Sequence, residues 1–370
     1  ESFVQARNLL SSPALVEDDE PDLEQAFIVK WGLWVGCSER HAHADAFALA
    51  SGLSELAEEL SDDRYRRLAD YARAHCEFWA GRVRVAGEHL DEIDPVNHPM
   101  VLEWLPFSDH PQVAASCLQS WTSCLRCDYV KAEQQAEAAI RMAEQIGQPG
   151  SLAMALMFST SLYRQLGHTH LATQRAERAL EVTRSADLHL WHMAAHGVLG
   201  WARAMNGDRD GLSMLQSSMN EFAELTGRER HQRPNLWYMD AVMALGEHAA
   251  AEEYMEKVLL VAQERNSFYL SEVSYLVASL RSAQGLPLEK VRSLIEQGLS
   301  YSIEQENTHH EAMGLATWLR LVDAHDAERC QRLKVLLEEL PSADAPAVLG
   351  WHQLVEIAEG RARRKASSPA

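Results

Sequence analysis

LRCDYVKA at residues 125–132, RQLGHTHLA at 164–172 and AMNGDRDGL at 204–212 decide how this chain is read. Cys127 to Gly167 is a step of 40 residues, and Gly167 to Gly207 is another 40. A fixed step of that size marks stacked helical pairs, each of which buries its apolar face against its neighbours. After each of the first two points comes a second helix with small residues four apart, Ala132 and Ala136 in one unit and Ala172 and Ala176 in the next. Small side chains at that spacing share a helix face and let antiparallel helices approach closely. The stretch from Val113 to Gly207 therefore holds two units in register.

Working outward, the punctuation continues at Gly246 and Gly285, in steps of 39, and upstream at Gly81 and Glu39, 42 residues apart. Gly81 to Cys127 is 46, the excess being a proline-rich insertion at 94–111 that carries Pro95, Pro99, Pro106 and Pro111. No continuous helix tolerates that many prolines. Ser61 or Asp62 is placed to cap the helix of DDRYRRLADYARAHCEFWAG. A last pair turns near His325, and VLGWHQLVEIAEG (348–360) is expected to close the open end. ESFVQARNLL reads as a short helix and Glu17 to Glu20 as a solvated acidic loop. Arg361, Arg363, Arg364 and Lys365 belong to a frayed basic tail, residues 361–370. No strand-like alternation appears. The expectation is an all-α, right-handed superhelix (α-solenoid) of about eight or nine helical pairs, one domain over residues 1–360.

With 370 residues, 46% of them hydrophobic and 24% charged, the chain has the make-up of a globular protein. A net charge of −20 disfavours a surface built to neutralise phosphates, so nucleic acid is not an expected partner. No run of about 18 apolar residues is present to span a membrane. The six cysteines sit within helical patterns, which favours reduced thiols and a cytoplasmic setting. A first residue of Glu rather than Met suggests a piece of something larger. Gly-x4-Gly-Lys-Ser/Thr, Gly-x-Ser-x-Gly and His-Glu-x-x-His are all missing, so neither catalysis nor a cofactor is expected.

Two clusters offer metal-binding alternatives to ordinary packing. Cys124 and Cys127 would supply two thiolates, with no second pair following in sequence. His189, His192 and His196 lie along one helix face, where a helix–helix seam is the commoner role. The first helix of each pair in such a stack lines the concave groove. Counting back from the turns places Tyr71, His75, Trp121, Arg164, Trp201, Asp240 and Tyr275 there, with Arg233 and Glu272 one turn further back. Aromatic walls with a few charges suit a small polar-ended molecule or a peptide.

The units resemble tetratricopeptide (TPR) repeats with lengthened helices. HPQVAASCLQSW (110–121), AMALMFSTSLYRQLG (153–167), LHLWHMAAHGVLGWARAMNGD (188–208), RPNLWYMDAVMALGEHAAAEE (233–253) and SEVSYLVASLRSAQG (271–285) together resemble the helical region of bacterial STAND-class predicted ATPases. That resemblance runs over roughly residues 25 to 320. The family tends to place Gly where Cys127 stands, and its Asp-Pro-Gly-Val segment appears here as His110-Pro111-Gln112-Val113. The resemblance implies a non-catalytic sensor or scaffold region of a cytoplasmic signalling ATPase or transcription regulator, which binds an effector or partner, contacts other domains of its parent protein and self-associates. A stand-alone adaptor that grips a peptide or helix in its groove is the other expectation.

Overall fold

The computed structural model describes residues 22–360 apart from 40–41, 99, 101–108, 187, 227–231, 250, 253, 256–257, 260–267 and 339–344. The expected N-terminal helix, the acidic run Glu17 to Glu20, the basic tail and part of the proline-rich insertion lie outside the described residues, as does the side chain of Arg233.

Sixteen helices are described and, among the described residues, no strand. They are α1 (Leu23–Glu39), α2 (His43–Leu60), α3 (Asp63–Trp79), α4 (Val83–Ile93), α5 (Pro111–Leu125), α6 (Tyr129–Ile146), α7 (Pro149–Gln165), α8 (Thr169–Ala186), α9 (His189–Met205) and α10 (Arg209–Thr226). Then come α11 (Gln232–Leu245), α12 (Leu270–Ala283), α13 (Leu288–Glu304), α14 (Thr308–Leu321), α15 (Ala327–Glu338) and α16 (Pro346–Ala358). Between α11 and α12, the described residues from 248 to 259 are also helical. The array is a TPR-like right-handed solenoid of helical pairs.

Six of the turns within pairs reverse the chain through a left-handed residue. Gly81, Gly167, Gly207, Gly246 and Gly285 all have φ between 71° and 87°. Cys127 adopts the same conformation, φ 69°, where a side chain costs about 1–2 kcal/mol of backbone strain. Its thiol is buried, 3.3 Å from the Tyr129 hydroxyl, so packing retains a residue other than Gly here. Asp62, not Ser61, caps α3, its carboxylate accepting the Arg64 N–H at 2.8 Å. Pro111 and Pro149 open α5 and α7, where the missing N–H is not needed.

Close packing within pairs depends on small residues. Ala132, Ala136, Ala172 and Ala176 are all buried, as their spacing predicts. At α9/α10 the helices touch backbone to backbone: a Cβ on Gly200 would lie 2.7 Å from the Gly211 carbonyl oxygen. Outside, ion pairs stitch neighbouring second helices, Arg175 to Glu137 and Arg178 to Glu144 between α8 and α6.

The first helices pack in sequence, α3 on α5, α5 on α7, α7 on α9, α9 on α11, α11 on α12 and α12 on α14; α14 then returns to contact α5. This last contact turns the superhelix into a ring closed on its inner face. The seam is made by Tyr129 with His309, Gln165 with His309, the Ala347 N–H donating to the Leu166 carbonyl at 3.1 Å, and Arg84 with Glu306. No helix among the described residues is long and apolar enough to cross a membrane.

Candidate functional site

Of the side chains that the repeat geometry assigns to the first-helix face, Arg164, Asp240 and Glu272 meet one another, whereas the aromatic ones pack into separate contacts between neighbouring helices. Most of them are buried rather than lining an open groove. Trp121, Trp201, Tyr71 and Tyr275 are each at most 6% exposed, and Trp201 in particular is a buried residue. Trp121 packs against Phe78, Phe158 and Phe268, with ring centroids 5.5 Å away in each case. A gap beside it, lined by Cys117, Ser120, Phe158 and Ser159 among others, has no room for a water molecule. Tyr71 and His75 join the aromatic group of Trp34 and Trp79, and Trp201 stacks on Trp237. Tyr275 is held between Gly298 of α13 and Gly314 of α14, where any Cβ would strike its ring.

At the centre lies a buried ion cluster. Arg164 of α7 donates through Nε to Asp240 of α11 at 2.7 Å and through Nη2 to Glu272 of α12 at 2.6 Å. These three residues sit on different pairs, 76 and 108 positions apart, so the stack alone brings them together. Burial opposes charge on Arg164, and its two carboxylate partners outweigh that, so the guanidinium stays charged. Burial pushes the Glu272 carboxyl up, but the charge of Arg164, with the hydrogen bonds from Arg164 and Gln165, more than offsets this and holds it below its usual value. Burial also raises the Asp240 carboxyl, and Arg164 offsets that only in part. Two carboxylates thus share one guanidinium, with Glu272 buried and Asp240 18% exposed, a costly arrangement on stability grounds alone.

The cluster continues as a chain of hydrogen bonds to the seam. Gln165 Nε2 donates to Glu272 Oε2 at 3.0 Å, and Gln165 Oε1 lies 3.1 Å from His309 Nε2. His309 Nδ1 lies 2.9 Å from the Tyr129 hydroxyl. His310 Nε2 is 3.8 Å from Glu272 Oε2, while its Nδ1 is 2.8 Å from Ser271 Oγ and 2.9 Å from Asn307 Nδ2. Both histidines are fully buried. Sequence reasoning placed Arg164, Asp240 and Glu272 on one face but missed Gln165, His309 and His310. The available signal was a pair of adjacent histidines two and three residues after an N-cap asparagine, on the first helix of the last pair.

The metal alternatives fare differently. Cys124 and Cys127 are buried at the α5/α6 turn, and burial pushes both thiols up, Cys127 to about 12, which disfavours the thiolate a metal needs. His189 and His196 are exposed, whereas His192 Nδ1 pairs with Thr183 Oγ1 at 3.0 Å. Among the described residues no three metal-ligating side chains come together.

Fold and site together define a TPR-like helical-repeat protein with a polar, closed inner face. No protein-family model matches the chain, and no curated protein matches it. Among solved structures, it is similar to a Rap protein complexed with competence and sporulation factor, with a TM-score of 0.60 and 16% identity, over 92% of this chain and 96% of that one. At that identity the likeness establishes the fold.

Proposed function

We propose that this protein is a non-catalytic regulatory adaptor whose first-helix face receives a peptide or a segment of a partner protein when the ring opens. One observation carries this reading: the Arg164–Asp240–Glu272 cluster on the inner face. An apolar core of equal volume would hold the array together as well or better, so a charged, hydrogen-bonding interior makes sense as a recognition surface that is covered when idle. The similar Rap protein, itself complexed with competence and sporulation factor, supports the idea that an array of this shape takes a partner.

The resemblance of residues 25–320 to STAND-class ATPases supports a second reading. There the same array is the sensor region of a cytoplasmic signalling ATPase or transcription regulator, and its opening is passed to an attached output module. The two readings differ in what is attached, and in whether a small metabolite or a polypeptide enters.

Selection of a random peptide display library on the full chain tests the main reading. Recovered peptides are expected to lose binding when Asp240→Asn and Glu272→Gln are introduced together, and to cross-link to first-helix residues such as Trp121 or Trp201. Peptides that cross-link only to the outer second helices would overturn it. A thermal-shift response to a metabolite, abolished by Arg164→Ala, would favour the sensor reading; at 100 times its Kd such a ligand adds about 2.7 kcal/mol.

A further inference from the structure

We propose that the ring is held shut by a proton-operated latch in the first turn of α14: His309, which bonds across the seam to α6 and α7, and His310 beside it, which joins α14 to α12, keep the array closed only while uncharged, so acid opens it. For His310 the hydrogen-bond network itself fixes the protonation state; for His309 it fixes the tautomer, and burial opposes the second proton. Asn307 caps α14 by accepting the backbone N–H of His310 on its Oδ1 at 3.1 Å. Its amide is thereby oriented, and the group facing His310 Nδ1 at 2.9 Å is Nδ2, a donor. A donor needs a bare lone pair, so Nδ1 carries no proton and His310 is the neutral Nε2–H tautomer. The Ser271 hydroxyl, 2.8 Å from the same Nδ1, finds an acceptor there as well. A second proton on this ring would collide with the Asn307 amide and break the cap of α14.

His309 is fixed from the other side. Glu272 orients the Gln165 amide by accepting from its Nε2, which leaves Gln165 Oε1 to accept from His309 Nε2. His309 Nδ1 is then the bare nitrogen and accepts from Tyr129. Tyr129 has an alternative acceptor in Cys127 Sγ, 3.3 Å away, so geometry alone admits a proton here. What opposes it is the burial of the ring, with the charge of Arg164 nearby.

The groups facing the pair come from several neighbouring elements: Tyr129 of α6, Arg164 and Gln165 of α7, Ser271 and Glu272 of α12, Trp351 of α16, and the Phe268 backbone carbonyl just before α12, which accepts from His310 and favours its charged form. Asp240 of α11 stands one step beyond, bound to Arg164. On α14 itself Glu311 is paired with Arg332 of α15. Among the described residues Glu272 is the one negative charge near His310, and it is already engaged by Arg164. Burial, the larger cause, holds His310 down to about 4 against the pull of Glu272, and holds His309 well below its ordinary value.

In an opened, wetted seam both histidines titrate near 6.5. The open state then binds protons that the closed state refuses, so closure is fully favoured above 6.5 and lost as pH falls toward the closed-state values. At pH 5 the open-to-closed ratio rises about thirty-fold through His310 alone, and further through His309. This deepens the adaptor reading, since the same inner face is uncovered, but its test needs no partner, so either idea can fail without the other.

The test is small-angle scattering of the full chain from pH 8 to 4.5, with far-UV circular dichroism on the same samples. The radius is expected to grow in one step between pH 6.5 and 4 while helicity is kept. The double variant His309→Gln, His310→Gln, which retains a donor near each Nε2 but takes no charge, is expected to stay closed over that range. A wild type compact to pH 4.5, expansion at the same pH in the variant, or loss of helix together with expansion would each overturn the proposal. Should the variant fail to fold at pH 7.5, the wild-type slope decides: log(open/closed) against pH between 6.5 and 5 is expected to approach two protons, and a value below one overturns it.

Discussion

Arg164→Met is the most informative single perturbation. It deletes the guanidinium that bonds Asp240 at 2.7 Å and Glu272 at 2.6 Å, and the Arg164 side chain is only 8% exposed, so solvent does little to replace it. Removing one partner of a buried ion pair costs about 3–5 kcal/mol, because the remaining charge is stranded. Urea denaturation at pH 7.5, followed by tryptophan fluorescence and circular dichroism, measures the loss. Adding Asp240→Asn and Glu272→Gln to the same chain removes the stranded charges, and is expected to bring stability back to within about 1–2 kcal/mol of wild type. The pH dependence has a definite sign. Without Arg164 the buried carboxyls have folded pKa values above their unfolded ones, so their contribution is present at low pH and lost as pH rises through the folded values. The deficit relative to wild type at the same pH must therefore shrink between pH 7.5 and 5. A loss below about 1 kcal/mol at pH 7.5, or a deficit that grows toward acid, would refute the picture of two carboxylates depending on one cation.

Three further outcomes follow from the packing. Cys127→Gly relieves the strain of φ 69° but empties a buried site, so urea unfolding should place it within about 1 kcal/mol of wild type, whereas a β-branched Cys127→Val should lose about 2 kcal/mol or more. Gly211→Ala would drive a Cβ into the Gly200 carbonyl and the Ala204 amide of α9, backbone that cannot rotate away, and should cost about 3 kcal/mol or more by the same assay. All six cysteines are buried, and burial pushes Cys76 up to about 11, so a chromogenic disulfide reagent at pH 8 should label none of them until urea is added.

The pairs were legible because their signals are local. A left-handed turn every 39 or 40 residues calls for Gly, and small residues four apart mark where helices touch; Gly167, Gly207, Ala132 and Ala172 behave in the structure as their spacing predicts. Arg164, Asp240 and Glu272 could be set on one face by counting back from those turns. That they meet each other, rather than a ligand, could not be read, since the repeat period reports how each unit packs on the next. Closure depends on how much each unit rotates, and small rotations accumulate until α14 reaches α5. Nothing in the period around His309 records that its partners are Tyr129 and Gln165, 180 and 144 residues away.

Those separations also bear on how the chain comes into being. An array whose units touch only their neighbours can zip up from one end as it is made, each surface covered as soon as the next unit appears. Here the faces of α5, α6 and α7 are completed by α14 and α16. At synthesis rates of about 5–20 residues per second, Tyr129 waits on the order of 10–35 s for His309 to emerge. Through that interval the half-made ring shows a dry-side surface to the cell, with Trp121 and Leu166 uncovered, and the final stitch spans nearly half the polypeptide. Slow, long-range docking of this kind sets the pace of folding, so the growing chain is most exposed to misassociation when all but its last three helices are already in place.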